Sequence, residues 1–166
     1  MALKIDLKNP YDCLRWPFIR ETLLDLKLSI TLVEVIMNCL NCSSFSMLWN
    51  GEKTEAFTPS RGVRQGEPLS PYLLVLCMER LNQIIKDVVI RGTWKPAVAS
   101  RGGPPLSWLF LADDLLLFGE ATVEQARVIK QCLDMFCAAL GEKVSPQKYM
   151  IFFSKNTQAT TAQEIS

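Results

Sequence analysis

Two short apolar runs separated by a pair of acids place the strongest constraint on the fold of this chain. The segment 107–119 reads S-W-L-F-L-A-D-D-L-L-L-F-G, with a Gly-Gly-Pro-Pro run shortly before it. Each apolar run has the length of a β-strand, and glycine or proline bounds its outer side. The pattern therefore predicts a β-hairpin with Asp113 and Asp114 at or near its tip. A solvated Asp-Asp turn would give the same local pattern, so these residues alone leave a turn and a functional site both open.

The composition predicts one packed domain outside the membrane. With 166 residues, of which 49% are hydrophobic and 21% charged, the chain is long enough for one core and short for two. It has no apolar run of bilayer-spanning length and no signal-peptide pattern at its start. We therefore expect a cytoplasmic or nuclear protein, neither secreted nor embedded in a membrane. The net charge of +1 neither favours nor excludes a nucleic-acid partner.

The absence of histidine narrows the possible chemistry. Without it the chain cannot form Ser-His or Cys-His nucleophilic sites or histidine-based metal centres. Catalysis would have to come from carboxylates, lysine, tyrosine, cysteine or bound ions. Cys39 and Cys42 form a lone C-x-x-C pair without the second pair of a zinc site. Because both fall on an apolar helical pattern, we expect buried free thiols.

The rest of the chain predicts strands and helices around the acidic hairpin. Leu3, Ile5 and Leu7 alternate with polar residues, so the first strand is half-buried and Asp6 lies on its polar face. Ser29, Ser70 and Thr122 are the expected N-caps, and Gln125 completes a capping box with Thr122. The polar segment from 157 onward is expected to fray. The other predicted elements are helices over 17–27, 30–40, 71–90 and 122–141, a small hairpin over 44–57 around Asn50-Gly51, and a strand over 149–153.

Without the small hairpin, the element order is β-α-β-β-α-β, the split βαβ pattern of ferredoxin-like α+β domains. In that topology the first strand neighbours the central hairpin in one antiparallel sheet, so Asp6 can lie beside Asp113 and Asp114. Carboxylates gathered on a sheet suit hard cations such as Mg²⁺, which completes its coordination with water and substrate phosphates. The pattern therefore favours metal-assisted phosphoryl or nucleotidyl transfer.

Four sequence blocks, in order, resemble the palm of reverse transcriptases, most closely those of plant-type non-LTR retrotransposons. The blocks are I-D-L-K-N-P-Y-D at 5–12, S-R-G-V-R-Q-G-E-P-L-S-P at 60–71, L-A-D-D at 111–114 and the segment from 141 to 156. The resemblance implies an α+β fold: a ferredoxin-like split β-α-β polymerase palm over residues 1–156, with an inserted small β-hairpin. Residues 157–166 would form a polar tail.

The resemblance also implies a reaction and its ligands. It makes Asp6, Asp113 and Asp114 the catalytic acids that bind Mg²⁺, with Mn²⁺ as a second possible ion. The implied activity is RNA-directed DNA polymerisation, in which a primer 3′-hydroxyl attacks a deoxynucleoside triphosphate. The implied partners are an RNA template, a DNA primer and the dNTP, with no membrane.

Five further positions are expected to bind substrate by the same resemblance, namely Tyr11, Arg64, Gln65, Gly66 and Lys148. Tyr11 would pack under the incoming sugar, Gln65 and Gly66 would lie against the nascent base pair and template, and Lys148 would sit near the phosphates. The sequence departs from the family pattern next to Tyr11, where Pro10 replaces the usual alanine.

The ends of the chain leave two alternative functions open. The chain begins shortly before Asp6 and ends soon after the fourth block, so we expect the fingers and thumb to be absent and the isolated palm to have weak or no activity. One alternative is a catalytically degenerate retroelement remnant. The other is a non-catalytic nucleic-acid-binding module that uses the loop with Arg61 and Arg64.

Overall fold

A mixed α+β arrangement of helices and small sheets makes up the computed structural model, which describes residues 1–7, 10–42, 44–98, 100, 102–111, 114–141 and 149–165. Residues 1–8 with 79–166 form one unit, and residues 9–78 form a second. In chain order the elements are β1 (Ala2–Asp6), α1 (Pro10–Cys13), α2 (Trp16–Asp25), α3 (Ile30–Asn41), β2 (Leu48–Trp49), β3 (Glu52–Lys53), α4 (Ser70–Ile90), β4 (Ala97–Val98), β5 (Pro105–Leu106), β6 (Trp108–Leu111), β7 (Asp114–Phe118), α5 (Val123–Leu140), β8 (Tyr149–Phe152) and α6 (Ala159–Ile165).

The first unit is built on a four-stranded sheet in the order β6-β7-β1-β8. Every neighbouring pair in it is antiparallel. The prediction that the first strand lies beside the acidic hairpin is confirmed, because β1 pairs with β7 along its whole length. The sheet therefore brings together two segments that are far apart in the sequence.

One face of this sheet is buried and the other is partly open. In both β1 and β7 buried residues alternate with half-buried ones, which is the pattern of strands with one face on a core. Ile5, Leu115 and Leu117 of the sheet are fully buried on its core face. Ile129 and Phe136 of α5 are also fully buried. The half-buried positions, which include Asp6 and Asp114, therefore lie on the opposite face of the sheet.

Helix α5 begins and ends where the sequence predicts, but its capping glutamine has another role. The Thr122 hydroxyl accepts a hydrogen bond from the Gln125 amide (3.2 Å), and Gly141 ends the helix at a φ of 90°. The Gln125 side chain does not complete the capping box. Its amide nitrogen donates to the Thr93 carbonyl and its oxygen accepts from the Lys95 amide, both at 2.8 Å. The side chain thereby fastens the loop after α4 to the start of α5.

The polar segment that was expected to fray contains a helix instead. Helix α6 lies against α5, and its half-buried residues, Thr161, Ala162 and Ile165, fall on one side of it. Seven residues are too few for a stable isolated helix in water. Packing of this small face explains why the segment is helical, which its polar composition alone did not indicate.

The second unit holds α1, α2, α3 and the small hairpin of β2 and β3. The hairpin turn is confirmed, since Asn50 and Gly51 both have positive φ (51° and 84°), as a type I′ turn requires. Ser29 caps α3 as predicted, accepting from the Leu32 amide at 3.3 Å. The expectation of buried thiols at Cys39 and Cys42 is wrong, because both are exposed. They lie off the buried stripe of α3, which consists of Val33, Ile36, Met37 and Leu40.

Helix α4 ends where the sequence predicts but lacks its predicted cap. Ser70 is the first helical residue, and its side-chain oxygen is buried with no hydrogen-bond partner among the described residues. The first helical bond runs from the Leu73 amide to the Leu69 carbonyl (3.1 Å), so the helix begins one residue earlier than expected. Within the described ranges, no helix combines the length and the apolar character that a bilayer crossing requires.

Candidate active site

Asp6 and Asp114 are direct cross-strand neighbours. Asp6 is the last residue of β1, Asp114 is the first of β7, and the two are paired in the antiparallel register. Residues directly opposite each other on antiparallel strands project to the same face, with their Cβ atoms about 5 Å apart. Both carboxylates therefore lie at the same end of the half-buried face of the sheet.

Lys4 is a positively charged neighbour of this acidic pair and forms an ion pair with one member of it. Its Nζ lies 2.7 Å from a carboxylate oxygen of Asp114, and the two side chains are 34% and 40% exposed. Lys4 shares a strand face with Asp6, two residues away, and therefore reaches Asp114 diagonally. Sequence reasoning treated Lys4 only as a polar position of an alternating strand. Its role depends on the register between β1 and β7, which the local pattern does not encode.

Two of the predicted site residues, Asp113 and Lys148, lie outside the described residues. Among the residues that are described, no group of three or more Cys, Asp or Glu side chains is placed to hold a metal ion. The part of the predicted site that the structure describes in this unit is thus the pair Asp6 and Asp114. Their carboxylate oxygens are the hard donors that Mg²⁺ and Mn²⁺ prefer, so the residues present fit such an ion.

The second unit carries Tyr11 and the loop of the second sequence block. Tyr11 is half-buried in the short helix α1, which begins at Pro10. A proline fits at this place because the first turn of a helix leaves its N–H groups without helical partners. The Tyr11 carbonyl accepts a hydrogen bond from the Val63 amide at 2.7 Å, so α1 and the loop are in contact.

Gly62 is required where this loop meets α1. Its φ is 85°, and a Cβ atom added to it would lie 2.9 Å from the Asp12 carbonyl oxygen. The Gly62 amide donates to the Leu14 carbonyl (2.7 Å), and the Trp16 indole donates to the Gly62 carbonyl (2.8 Å). These bonds fix the loop onto the segment from α1 to α2.

The predicted substrate-binding residues of the loop are all exposed. Arg64 forms an ion pair with Glu67 (3.1 Å), and its guanidinium carbon lies 4.6 Å from the centre of the Phe45 ring. Gln65 and Gly66 follow it, and apart from the chain neighbours of Gly66 no described atom lies within 4 Å of a Cβ atom added to this glycine. The loop borders a cavity of about 450 Å³ within the second unit, which Arg61, Arg64 and Gln65 help to line.

A protein-family model described as reverse transcriptase (RNA-dependent DNA polymerase) matches residues 1–164. The chain belongs to the reverse transcriptase family. This confirms the family that the four sequence blocks predicted.

The relatives of this reverse transcriptase chain include a retrotransposon protein. This chain is 29% identical, over 144 residues, to a retrovirus-related Pol polyprotein from a type-2 retrotransposable element of Drosophila melanogaster. The match covers 87% of this chain and 13% of that protein. The chain is 42% identical over 65 residues to an uncharacterized mitochondrial protein of Arabidopsis thaliana, covering 39% of this chain and 53% of that protein. The chain therefore spans about an eighth of the first relative and about half of the second.

Solved telomerase structures share the fold of this reverse transcriptase chain. Apo telomerase from Candida tropicalis, truncated of its C-terminal domain, matches 95% of the chain with a TM-score of 0.70, and the chain covers 31% of that truncated chain. Telomerase from Candida albicans, solved with a fragment of telomeric RNA, matches 95% with a TM-score of 0.71, and the chain covers 27% of it. The identity is 16% in both comparisons, so the likeness is one of fold.

Proposed function

We propose that residues 1–156 are the palm of an RNA-directed DNA polymerase of the non-LTR retrotransposon type. The observation that carries this proposal is the pairing of Asp6 with Asp114 across β1 and β7. The strand order β6-β7-β1-β8 supports a ferredoxin-like split βαβ topology for this palm. Membership of the reverse transcriptase family supplies the reaction class.

In the proposed reaction a primer 3′-hydroxyl attacks the α-phosphate of a deoxynucleoside triphosphate opposite an RNA template. A new phosphodiester O–P bond forms, the bond to the β-phosphate bridge breaks, and pyrophosphate leaves. Asp6 and Asp114, with Asp113, would hold the divalent ions, Mg²⁺ or Mn²⁺. When bound, a pair of such ions stabilises the attacking and the leaving oxygens of a phosphoryl transfer.

The protein contributes to this chemistry by holding its acidic side chains in place. The four-stranded sheet fixes Asp6 and Asp114 on one face, which avoids the entropic cost of gathering two mobile carboxylates. Lys4 donates to Asp114 and offsets the repulsion between two like charges on facing strands.

We assign substrate contacts to Tyr11, Arg64, Gln65, Gly66 and Lys148. Tyr11 would pack against the incoming sugar, Gln65 and Gly66 against the nascent base pair and template, and Lys148 near the phosphates. Glu67 and Phe45 hold the Arg64 guanidinium from two sides. The open space around Gly66 supports a close approach of a base or backbone there.

Primer extension on an RNA template with a DNA primer, dNTPs and Mg²⁺ tests this proposal. We expect Asp6→Asn and Asp114→Asn each to lower extension by at least about 100-fold, because transition-state charge loses its stabilisation. Asp134→Asn is the matched control, since it removes an exposed carboxylate whose described ion pair is with Lys130 on α5. It should extend primers at the rate of the unaltered chain.

Two outcomes would contradict the proposal. One is extension by the unaltered chain that survives both substitutions. The other, which would contradict polymerase activity of the isolated chain, is no extension at any protein concentration with either Mg²⁺ or Mn²⁺. In the second case retained, salt-dependent binding of RNA would favour a non-catalytic nucleic-acid-binding module.

A further inference from the structure

Two arginines face each other beside the loop of the second sequence block. Arg15, which precedes α2, and Arg61 form an antiparallel β-bridge. Residues in such a bridge lie directly opposite, so their side chains leave the backbone on the same side. Both arginines are exposed, and like charges placed directly opposite each other destabilise a strand pair. A bound anion would offset this repulsion.

The described residues supply no anion to this pair. The ion pairs of the second unit join Arg64 with Glu67 and Arg20 with Glu34. Neither Arg15 nor Arg61 has a described carboxylate within salt-bridge distance. The sequence suggested a nucleic-acid-binding loop that uses Arg61 and Arg64. In the structure, Arg64 is ion-paired with Glu67. Arg15 and Arg61 thus differ from Arg64 in having no described carboxylate partner.

The backbone holds the two arginines in place. Gly62, next to Arg61, donates to Leu14, next to Arg15, at 2.7 Å. The Trp16 indole donates to the Gly62 carbonyl at 2.8 Å. Because the backbone is already ordered, binding of a common anion costs conformational freedom only in the two arginine side chains, which favours affinity.

Asp12 is an exposed acidic residue close to Arg15 in the sequence. It lines the same cavity as Arg61 but forms no described ion pair with it. Even if Asp12 approached Arg61 in solution, one carboxylate would leave one positive charge of the pair uncompensated.

We propose that Arg15 and Arg61 form a site for one phosphate group. Guanidinium groups bind phosphate oxygens through planar, paired N–H donors, which makes arginine the usual residue for this recognition. The phosphate can come from the backbone of a nucleic-acid strand or from a nucleoside triphosphate. This inference deepens the proposed function, on which it rests for the source of the phosphate.

Fluorescence anisotropy on the whole chain tests the site with two probes, a short labelled single-stranded RNA and a labelled deoxynucleoside triphosphate. We expect Arg15→Gln and Arg61→Gln each to weaken binding of one probe about tenfold. For RNA, the slope of log affinity against log salt concentration should become shallower by roughly 0.7, which is the contribution of one phosphate contact on a single strand. Because both arginines hold one phosphate, the double variant should lose little more than either single variant.

Arg20→Gln is the matched control, because it removes the same charge from the same unit but from a residue paired with Glu34. It should bind both probes as the unaltered chain does. The probe that is affected identifies the source of the phosphate. Unchanged binding of both probes by Arg15→Gln and Arg61→Gln overturns the proposal, as does an equal loss with Arg20→Gln or no binding by the unaltered chain.

The catalytic proposal is tested separately. Asp6→Asn should abolish primer extension and leave the arginine-dependent binding intact. Circular dichroism of each variant shows whether a loss reflects unfolding. Failure of the phosphate site and failure of the polymerase proposal therefore give different results.

Discussion

At the scale of single residues, Lys4 places a positive charge beside the acidic pair. Two carboxylates that face each other on neighbouring strands repel, and the lysine at 2.7 Å from Asp114 offsets part of this repulsion. A lysine that pairs with a proposed metal ligand also competes with the metal. The sequence places Lys4 and Asp6 on one strand face, but only the pairing with β7 brings Lys4 to Asp114.

Removing this lysine should strengthen binding of a divalent ion. For Lys4→Gln we expect Mn²⁺ affinity, measured by electron paramagnetic resonance or calorimetry, to rise about two- to fivefold. This range corresponds to a partly exposed ion pair worth up to about 1 kcal/mol. Lys130→Gln, which breaks the exposed pair with Asp134 on α5, is the control and should leave the affinity unchanged. A lower affinity in Lys4→Gln would mean that Lys4 supports the site instead of competing for it.

At the scale of the elements, short-range signals predicted most of the helices and turns. The Ser29 and Thr122 caps, the Gly141 stop and the Asn50-Gly51 turn depend on backbone geometry near each residue, and all are present. The roles of Gln125 and Ser70 and the formation of α6 depend on contacts with other parts of the chain. Periodicity and capping rules do not contain that information.

Gln125 gives a direct test of such a contact. It is 5% exposed and bonds the Lys95 amide and the Thr93 carbonyl. We expect Gln125→Ala to lower the free energy of unfolding by about 1–3 kcal/mol, because both backbone groups lose their partner. Urea denaturation measures the change.

Gln131→Ala is the matched control for Gln125→Ala, since Gln131 is an exposed glutamine of the same helix. It should change the stability by less than about 0.5 kcal/mol. Equal effects of the two substitutions would contradict a structural role for the buried glutamine.

At the scale of the whole molecule, the sequence predicted that the first strand lies beside the acidic hairpin, where Asp6 can approach Asp114. This succeeded because the β-α-β-β-α-β order restricts which strands can be neighbours. It did not predict the bridge between Arg15 and Arg61 or the close approach at Gly62. Those depend on how loops pack, for which the sequence has no periodic signal.

Thiol labelling tests the cores of both units at once. Under native conditions we expect N-ethylmaleimide to modify Cys39 and Cys42 first, whereas Cys77, Cys132 and Cys137 are buried. Burial also raises the pKa of the Cys132 thiol, so Cys132 should still resist labelling at mildly alkaline pH. Mass spectrometry of peptides identifies the modified sites. Early labelling of the three buried cysteines would contradict the described packing.

The hydrogen bonds that join α1 to the loop around Gly62 also have a mechanical consequence. The Val63 amide bonds the Tyr11 carbonyl, and Arg64, Gln65 and Gly66 follow directly. A shift of Tyr11 is therefore transmitted through the backbone to the residues proposed to meet the base pair. The proposed sugar contact of Tyr11 and the proposed template contact of the loop would then change together. A substitution in α1 or in the loop would alter both contacts.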